Sequence, residues 1–444
     1  MVLTGQTIGT NEKAALRIFD LCGVTMRKKL SIVGRGTVGC LATAQFLKYT
    51  DVDIDWIYNP KVMPASVGEG TTLLFPLSLK NALGLSWSDL NALGATPKTG
   101  IYKEDWASSG NKFTHSFPCG ATGLHFNATA FQNYVFDIIK GNPRVNVIED
   151  NVSDYSKVDA DHILVCAGSP KYDDGLIKHE EIPVNAAFVT QCYWDFPRFT
   201  DTLTIARPYG WVFGIPLQNR CAIGYLYNKN INTLGEIKDD VKHVFEKYKL
   251  EPSETTNSLT FNRYSRKINF TNRIIYNGNS SFFLEPLEAT TLCLADTFNS
   301  HAFNVWFNDV PLSIANDAYA RDISDVKAMI LLHYMAGSAF DTPFWEHAKE
   351  KATTFIKSLF TKNDAFAYNV IRILDGKKID LDVYNALNKT DDMGTWMDTS
   401  FKTNIHNLKI DGLLRSYNED KICTKRYSKP NWKTHYGGAI PYAV

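Results

Sequence analysis

The chain first becomes regular at "KKLSIVGRGTVGCLATAQFLK", residues 28–48. A short apolar run predicts a strand, three glycines predict a turn, and Val38, Leu41, Ala42, Ala44 and Leu47 then recur at the spacing of one helical face. "VDIDWIYNP" (52–60) predicts the next strand, with Asp53 and Asp55 on its solvent face. A later strand, "ADHILVCAGSP" (160–170), ends at Ala167 and Gly168, small residues that let a ligand or backbone approach closely. The stretches near 95–135 and 183–275 predict a second sheet, and "EPSETTNS" (251–258) reads as a surface loop. "DVKAMILLHYMAGS" (325–338) and "WEHAKEKATTFIKSLF" (345–360) carry apolar residues three and four apart, so they predict helices packed as a cap. No internal repeat or low-complexity segment interrupts this order.

Composition narrows what such a fold can do. At 444 residues the chain exceeds the roughly 100 to 200 residues of an average domain. Three spans are expected: an extension over 1–25, a main domain including the second sheet over 26–330, and a helical, substrate-facing region over 331–444. Lys+Arg and Asp+Glu balance at 47 each, which argues against nucleic acid or an anionic membrane as partner and favours a small ligand. Eight scattered cysteines, with no CxxC pair, give no zinc site or disulfide scaffold, and a cytoplasmic setting is expected. No run of 18 apolar residues and no signal-like segment over the first 25 residues is present.

The glycines carry the first chemistry. Gly34, Gly36 and Gly39 have G-x-G-x-x-G spacing between a strand and a helix: the first allows the tight turn, the second lets a diphosphate reach the backbone, and the third allows close packing. Thr37 and Val38 open the helix whose N-terminus would hold that diphosphate. The expected acidic ribose anchor is missing at the end of the second strand, and Asn59 is the substitute candidate. Glu69, in "SVGEGTT", returns to the same crevice. Three strand ends with small residues suit the longer FAD better than NAD. Farther along, "SSFFLEPLEATTL" (280–292) places Glu285 and Glu288 around Pro286 after an apolar run, where burial without partners would be costly.

These segments together resemble the flavin-dependent halogenases of the tryptophan-halogenase type, from about Leu30 to about Lys349. "GWVFGIP" (210–216) resembles the WxWxIP signature, with Trp211 and Pro216 kept and Phe213 replacing the second tryptophan. "NGNSSFFLEPLEATTL" resembles "G-x-S/A-x-F-F-V-E-P-L-E-S-T", "SVGEGTT" resembles "GVGEAT", and "LLHYMAGSAFDTPFW" resembles "HY…DTPFW". "GLHFNATAFQNYV" (123–135) also fits. "LGATPKTGIYKEDW" (93–106) resembles "G-x-F-K-x-G-x-x-F-x-x-W", which aligns Lys98 with the catalytic lysine and Trp106 with the closing tryptophan. Lys103, on the neighbouring "YKED", reads as surface charge.

The resemblance implies an α/β FAD-binding fold of the glutathione-reductase and flavin-monooxygenase kind, with a second β-sheet and a C-terminal helical cap. It implies reduced FAD supplied by a separate flavin reductase, and chloride, bromide or iodide oxidised with oxygen to hypohalous acid. Lys98 would carry or hydrogen-bond the oxidised halogen. Glu288 would orient it and accept the proton lost from an electron-rich aromatic such as an indole or phenol, with Glu285 the runner-up for that role. Gly34, Gly36, Thr37, Val38, Gly39, Asn59, Glu69, Gly168, Trp211, Gly278, Pro286 and Leu287 would hold the cofactor, Thr290 and Thr291 the halide, and His115 and Phe117 the substrate. His125 reads as structural. Thr291 stands where glycine is common, which implies a preference for bromide or iodide. The C-terminal part, with Tyr417, Tyr427, Trp432 and Tyr436, does not match the tryptophan clamp, so broad specificity and a phage-encoded origin, such as a marine cyanophage, are expected; a homo-oligomer is left open. Two alternatives stand beside this reading: a single-component aromatic hydroxylase, and a non-catalytic FAD-binding protein.

Overall fold

Five short runs rich in Ile, Val and Leu pair in parallel, in the order Ile274–Tyr276, His162–Val165, Lys29–Val33, Asp53–Tyr58, Val145–Glu149. The structure, a computed structural model, describes residues 27–62, 68–117, 121–170, 175–362, 365–376 and 398–419. The extension expected over 1–25 and the aromatics Tyr427, Trp432 and Tyr436 lie outside the described residues. A parallel sheet is covered on both faces, so its central strands are apolar throughout. Lys29–Val33 holds the centre, and the glycine turn follows its carboxyl end, where open parallel sheets bind ligands. From that turn the helix Thr37–Tyr49 runs back along the sheet, with Leu41, Ala42, Ala44 and Phe46 buried. The expectation for Asp55 is corrected. Only Asp53 is exposed; Asp55 is buried, held by Lys29 Nζ at 2.9 Å and by Asn146 Nδ2 at 3.0 Å, because its strand has neighbours on both sides.

The second sheet has seven strands, in the order Glu251–Thr260, Ala186–Tyr193, Arg220–Tyr227, Gly210–Pro216, Thr202–Arg207, Gly100–Trp106, Asn111–Ser116. All its pairings are antiparallel except that of Thr202–Arg207 with Gly100–Trp106. The loop expected over 251–258 is instead the edge strand, exposed along nearly its whole length. Its Thr and Ser residues tolerate extended backbone, and Pro252 is acceptable only because one side of an edge strand is unpaired. A bulge with Asp105 at φ 59° breaks the alternation in Gly100–Trp106 and turns Trp106 into the core, where Nε1 donates to the Thr204 carbonyl at 3.0 Å.

Two three-stranded sheets join these layers: Gly68–Gly70, Gly123–Asn127, Thr96–Lys98, and Leu176–Lys178, Tyr264–Arg266, Phe282–Phe283. The helices Leu312–Ala336 and Pro343–Lys362 pack together over the seven-stranded sheet, and the first runs unbroken through position 330. From Asp325 to Ala336 it is buried on every side, so its apolar content exceeds what an amphipathic helix needs. The helix Asp398–Asn407 lies against Asn111–Ser116. No helix among the described residues is long and apolar enough to cross a membrane.

Candidate active site

The three glycines after the first strand have separate physical reasons. Gly34 has φ +117°, and a Cβ there would meet the Cys166 carbonyl oxygen at 2.7 Å. A Cβ on Gly39 would collide with the Gly34 carbonyl, so this glycine seats the helix against the turn. Gly36 is different: a Cβ there would have nothing within 4 Å and would project into open space. That space is a cavity of about 940 Å³. Its lining includes Gly34, Gly36, Thr37, Val38, Asn59, Glu69 and Gly168, and also Lys98, Trp211, Pro286, Glu288 and Thr291. Gly168 has φ +57° and equally open space at its Cβ position.

Around this opening the polar groups are arranged in pairs. Thr37 Oγ1 donates to Glu69 Oε1 at 2.6 Å, while burial pushes the Glu69 carboxyl up to about 7 against that hydrogen bond. Asn59 donates to Asn151 Oδ1 at 3.2 Å and accepts from the Lys61 amide at 2.9 Å, so its side chain is already engaged at the cavity wall. Arg35, which sequence reasoning passed over as an x in the motif, sits over the Phe136 ring at 4.0 Å from its centroid and donates to Asn133 at 2.6 Å. It lines the cavity beside the turn, which makes it the cation nearest the expected diphosphate position. Gly278 (φ +58°) packs on Val38, and Leu287 is buried in the core.

The two glutamates answer the question their burial raised. The chain turns through Glu288 (φ 67°) and Ala289 (φ 54°), two successive left-handed residues that are not glycine, at about 1 to 2 kcal/mol each. This turn aims Glu288 inward, with 1% of its side chain exposed. Its Oε1 is ion-paired with Lys103 and lies 3.3 Å from His333 Nε2, and its Oε2 lies 3.2 Å from His115 Nδ1. Burial works against ionisation, but Lys103 and the two imidazoles outweigh it and hold the carboxyl well below its usual range. Glu285 is the opposite case. Its Oε2 accepts from Tyr334 at 2.7 Å, the same phenol accepts from Trp211 Nε1 at 2.9 Å, and Oε1 has no hydrogen-bond partner among the described residues. Burial pushes this carboxyl up to about 8, so at neutral pH Glu285 is mostly protonated and Glu288 is charged.

Lys103 is therefore a correction to the sequence reading. It is fully buried, because its strand is paired on both sides and Lys103 shares a face with buried Ile101. It also occupies the position at which the motif aligned with Lys98 carries phenylalanine. Lys98 itself is fully buried, and its Nζ has no hydrogen-bond partner among the described residues. The ammonium lies 5.5 Å from the Phe117 ring centroid. Burial lowers Lys98 to about 8, with Glu288 opposing that shift and Lys103 adding to it.

His115 is tied on its other side to Ser400 Oγ at 3.0 Å, and Asn404 Nδ2 lies 3.5 Å from Nδ1, so the helix Asp398–Asn407 seals this end. His125 is buried against Thr202 Oγ1 at 2.8 Å. Thr290 is buried as the first residue of the helix Thr290–Phe307, and Thr291 faces the cavity. The N-cap of that helix is Ala289, which supplies no side-chain acceptor to the first-turn amides. Trp106 is enclosed by Trp211, His333, Tyr334 and Trp345 rather than by open space.

Comparison with known proteins follows the same segments. The tryptophan halogenase family model matches residues 29–163 and 175–391. Tryptophan 7-halogenase RebH of Lentzea aerocolonigenes is 25% identical over 190 residues, which is 42% of this chain and 32% of that protein. The chain thus aligns with about a third of the length of such curated relatives. A tryptophan halogenase from Shewanella frigidimarina NCIMB 400 superposes with a TM-score of 0.69 at 17% identity, covering 89% of this chain and 93% of that one. BrvH, a flavin-dependent halogenase from Brevundimonas sp. BAL3, superposes with a TM-score of 0.63 at 21% identity, covering 76% and 85%.

Proposed function

Since this chain belongs to the tryptophan halogenase family, we propose that it is a flavin-dependent halogenase that acts on an electron-rich aromatic such as an indole or phenol. The observation that carries the reading is Lys98: a buried amine without a hydrogen-bond partner among the described residues, lining the same cavity as the glycine turn. The open Cβ positions of Gly36 and Gly168 and the adjacent helix N-terminus fit the diphosphate of FAD, with Gly34, Thr37, Val38, Asn59 and Glu69 along it and Trp211 and Pro286 toward the ring end. When bound in reduced form, delivered by a separate flavin reductase, FAD supplies with oxygen the two electrons' worth of oxidation that turns halide into hypohalous acid, leaving oxidised FAD and water.

The chain's own residues then control that acid. The amides at the start of Thr290–Phe307, beside Thr290 and Thr291, form the halide site. Lys98, held near 8 by burial, is partly neutral at working pH and either donates a hydrogen bond to hypohalous acid or takes the halogen on nitrogen with loss of water. Glu288, anionic in the resting site, orients the electrophile, and the proton released on rearomatisation passes to the Glu288–His115 pair. His115 and Phe117 border the substrate position, and the enclosing helix Asp398–Asn407 excludes water that would carry hypohalous acid away. Thr291 in place of a common glycine supports a preference for bromide or iodide.

The experiment is a product analysis by mass spectrometry with added flavin reductase, NADH, FAD, oxygen and bromide over a panel of indoles and phenols. Brominated products that need the reductase support the proposal. Hydroxylated products with NAD(P)H consumed without reductase would establish the hydroxylase alternative.

A further inference from the structure

Two buried lysines interact electrostatically with one carboxylate, and among the described residues only one of them is paired with it. Lys103, on the strand Gly100–Trp106, takes Glu288 Oε1. His333, from Leu312–Ala336, stands at the same oxygen, and His115, from Asn111–Ser116, stands at Oε2. Lys103 thus holds Oε1 and His115 contacts Oε2, while His333, whose Nδ1 donates to the Met329 carbonyl, approaches Oε1 without a hydrogen bond. Lys98, on the preceding strand Thr96–Lys98, has no acceptor among the described residues although Glu288 is an electrostatic neighbour. A buried ammonium is favoured by pairing with a carboxylate in low dielectric, and here Lys103 holds Glu288 Oε1.

We propose that Lys103 is a positioning residue: by occupying Glu288 it keeps the Lys98 amine unpaired and facing the cavity, where the halogen is handled. The inference rests on the proposed role of Lys98 and adds to it the group that makes the role available. A merely structural Lys103 would matter only for folding. A positioning Lys103 also sets how Lys98 titrates. The groups facing Lys98 are Glu288 and Asp201, which raise it, Lys103, which lowers it, and His125, which burial and Lys98 keep neutral. Removing the Lys103 ammonium takes away a like charge and frees Glu288 Oε1 for Lys98, and both changes move Lys98 upward.

The test is competitive acetylation of the full-length protein with trace acetic anhydride across pH 6 to 11, with the Lys98 peptide followed by mass spectrometry. It uses no flavin, halide or oxygen, so its outcome is separate from whether the protein halogenates anything. In the wild type the Lys98 midpoint is expected near 8. In Lys103→Met it should rise toward the ordinary lysine value, and labelling at pH 8 should fall roughly tenfold as the neutral fraction of the amine shrinks. Lys103→Arg, which keeps the cation on Glu288, should restore the wild-type midpoint. Should Lys103→Met fail to fold, Lys103→Met/Glu288→Gln removes both charges, and its midpoint should lie no higher than the wild type. An unchanged midpoint in folded Lys103→Met, a raised one in Lys103→Arg, or a raised one in the double variant would each overturn the proposal.

Discussion

Tyr334 donates its phenolic hydrogen to Glu285 Oε2 at 2.7 Å. The residue before it, His333, stands 3.3 Å from Glu288 Oε1. Adjacent residues on one buried helix thus address both glutamates of the segment 285–288, and Trp211 joins the set through the Tyr334 oxygen. Three segments far apart in the chain, "GWVFGIP", "FFLEPLE" and "LLHYMAG", converge on one hydrogen-bonded chain. The pairs fix the Leu287–Ala289 turn from both sides, which offsets its left-handed strain.

Tyr334→Phe removes the donor to Glu285 and the acceptor for Trp211 together. Two buried polar groups then lack partners, at about 1 to 3 kcal/mol each. Chemical denaturation should show a loss of at least ~1 kcal/mol, and a variant as stable as the wild type would mean the chain contributes nothing.

Glu285 should also give stability a pH dependence. Its folded value of about 8 exceeds the ordinary 4.5, so the folded chain binds this proton more tightly. The contribution is complete below about 4.5 and is lost as pH rises through 8. Glu285→Gln keeps the neutral shape, so its stability relative to wild type should increase between pH 5 and pH 8.5 in denaturant titrations. A difference that stays flat with pH would contradict the assignment.

Gly36 and Gly39 should separate binding from folding. A side chain at Gly36 has open space on the protein side but occupies the diphosphate path, so Gly36→Val should fold and lose FAD affinity in fluorescence titration by a hundredfold or more. Gly39→Ala instead drives a methyl group into the Gly34 carbonyl and should lower the melting temperature. Unchanged FAD affinity in Gly36→Val would remove this turn from the cofactor site.

Much of the site was legible because it is local. The strand, glycine turn and helix at 29–49 are written in one stretch of sequence, and so are the burial-prone glutamates at 285 and 288. What was not legible depends on distant partners. Lys103 reads as surface charge until Glu288, 185 positions away, is placed beside it, and Ser400 reaches His115 across 285 positions. Asp55 misled for the same reason, since its partner cation comes from the adjacent strand. The edge strand Glu251–Thr260 misled because its polar composition is that of a loop, and only pairing with Ala186–Tyr193 makes it a strand.

Halide choice should follow Thr291, which faces the cavity beside the first-turn amides of Thr290–Phe307. With equal chloride and bromide in one reaction, brominated product should predominate, and Thr291→Gly should move the ratio toward chloride. Predominant chlorination by the wild type would show that this side chain does not set the choice.

The central claim is that Lys98 handles the halogen beside the proposed flavin cavity. It is tested most directly by halogenated product yield in Lys98→Met, measured by mass spectrometry with reductase, FAD, oxygen and bromide, alongside FAD affinity of the same preparation. Methionine suits a fully buried position that holds no hydrogen bond to the described residues, so the variant should fold and bind FAD within a few-fold of wild type. The account predicts halogenated product reduced at least a thousandfold, or about 4 kcal/mol of transition-state stabilisation. Product formation at the wild-type rate in a variant that still binds FAD would contradict it.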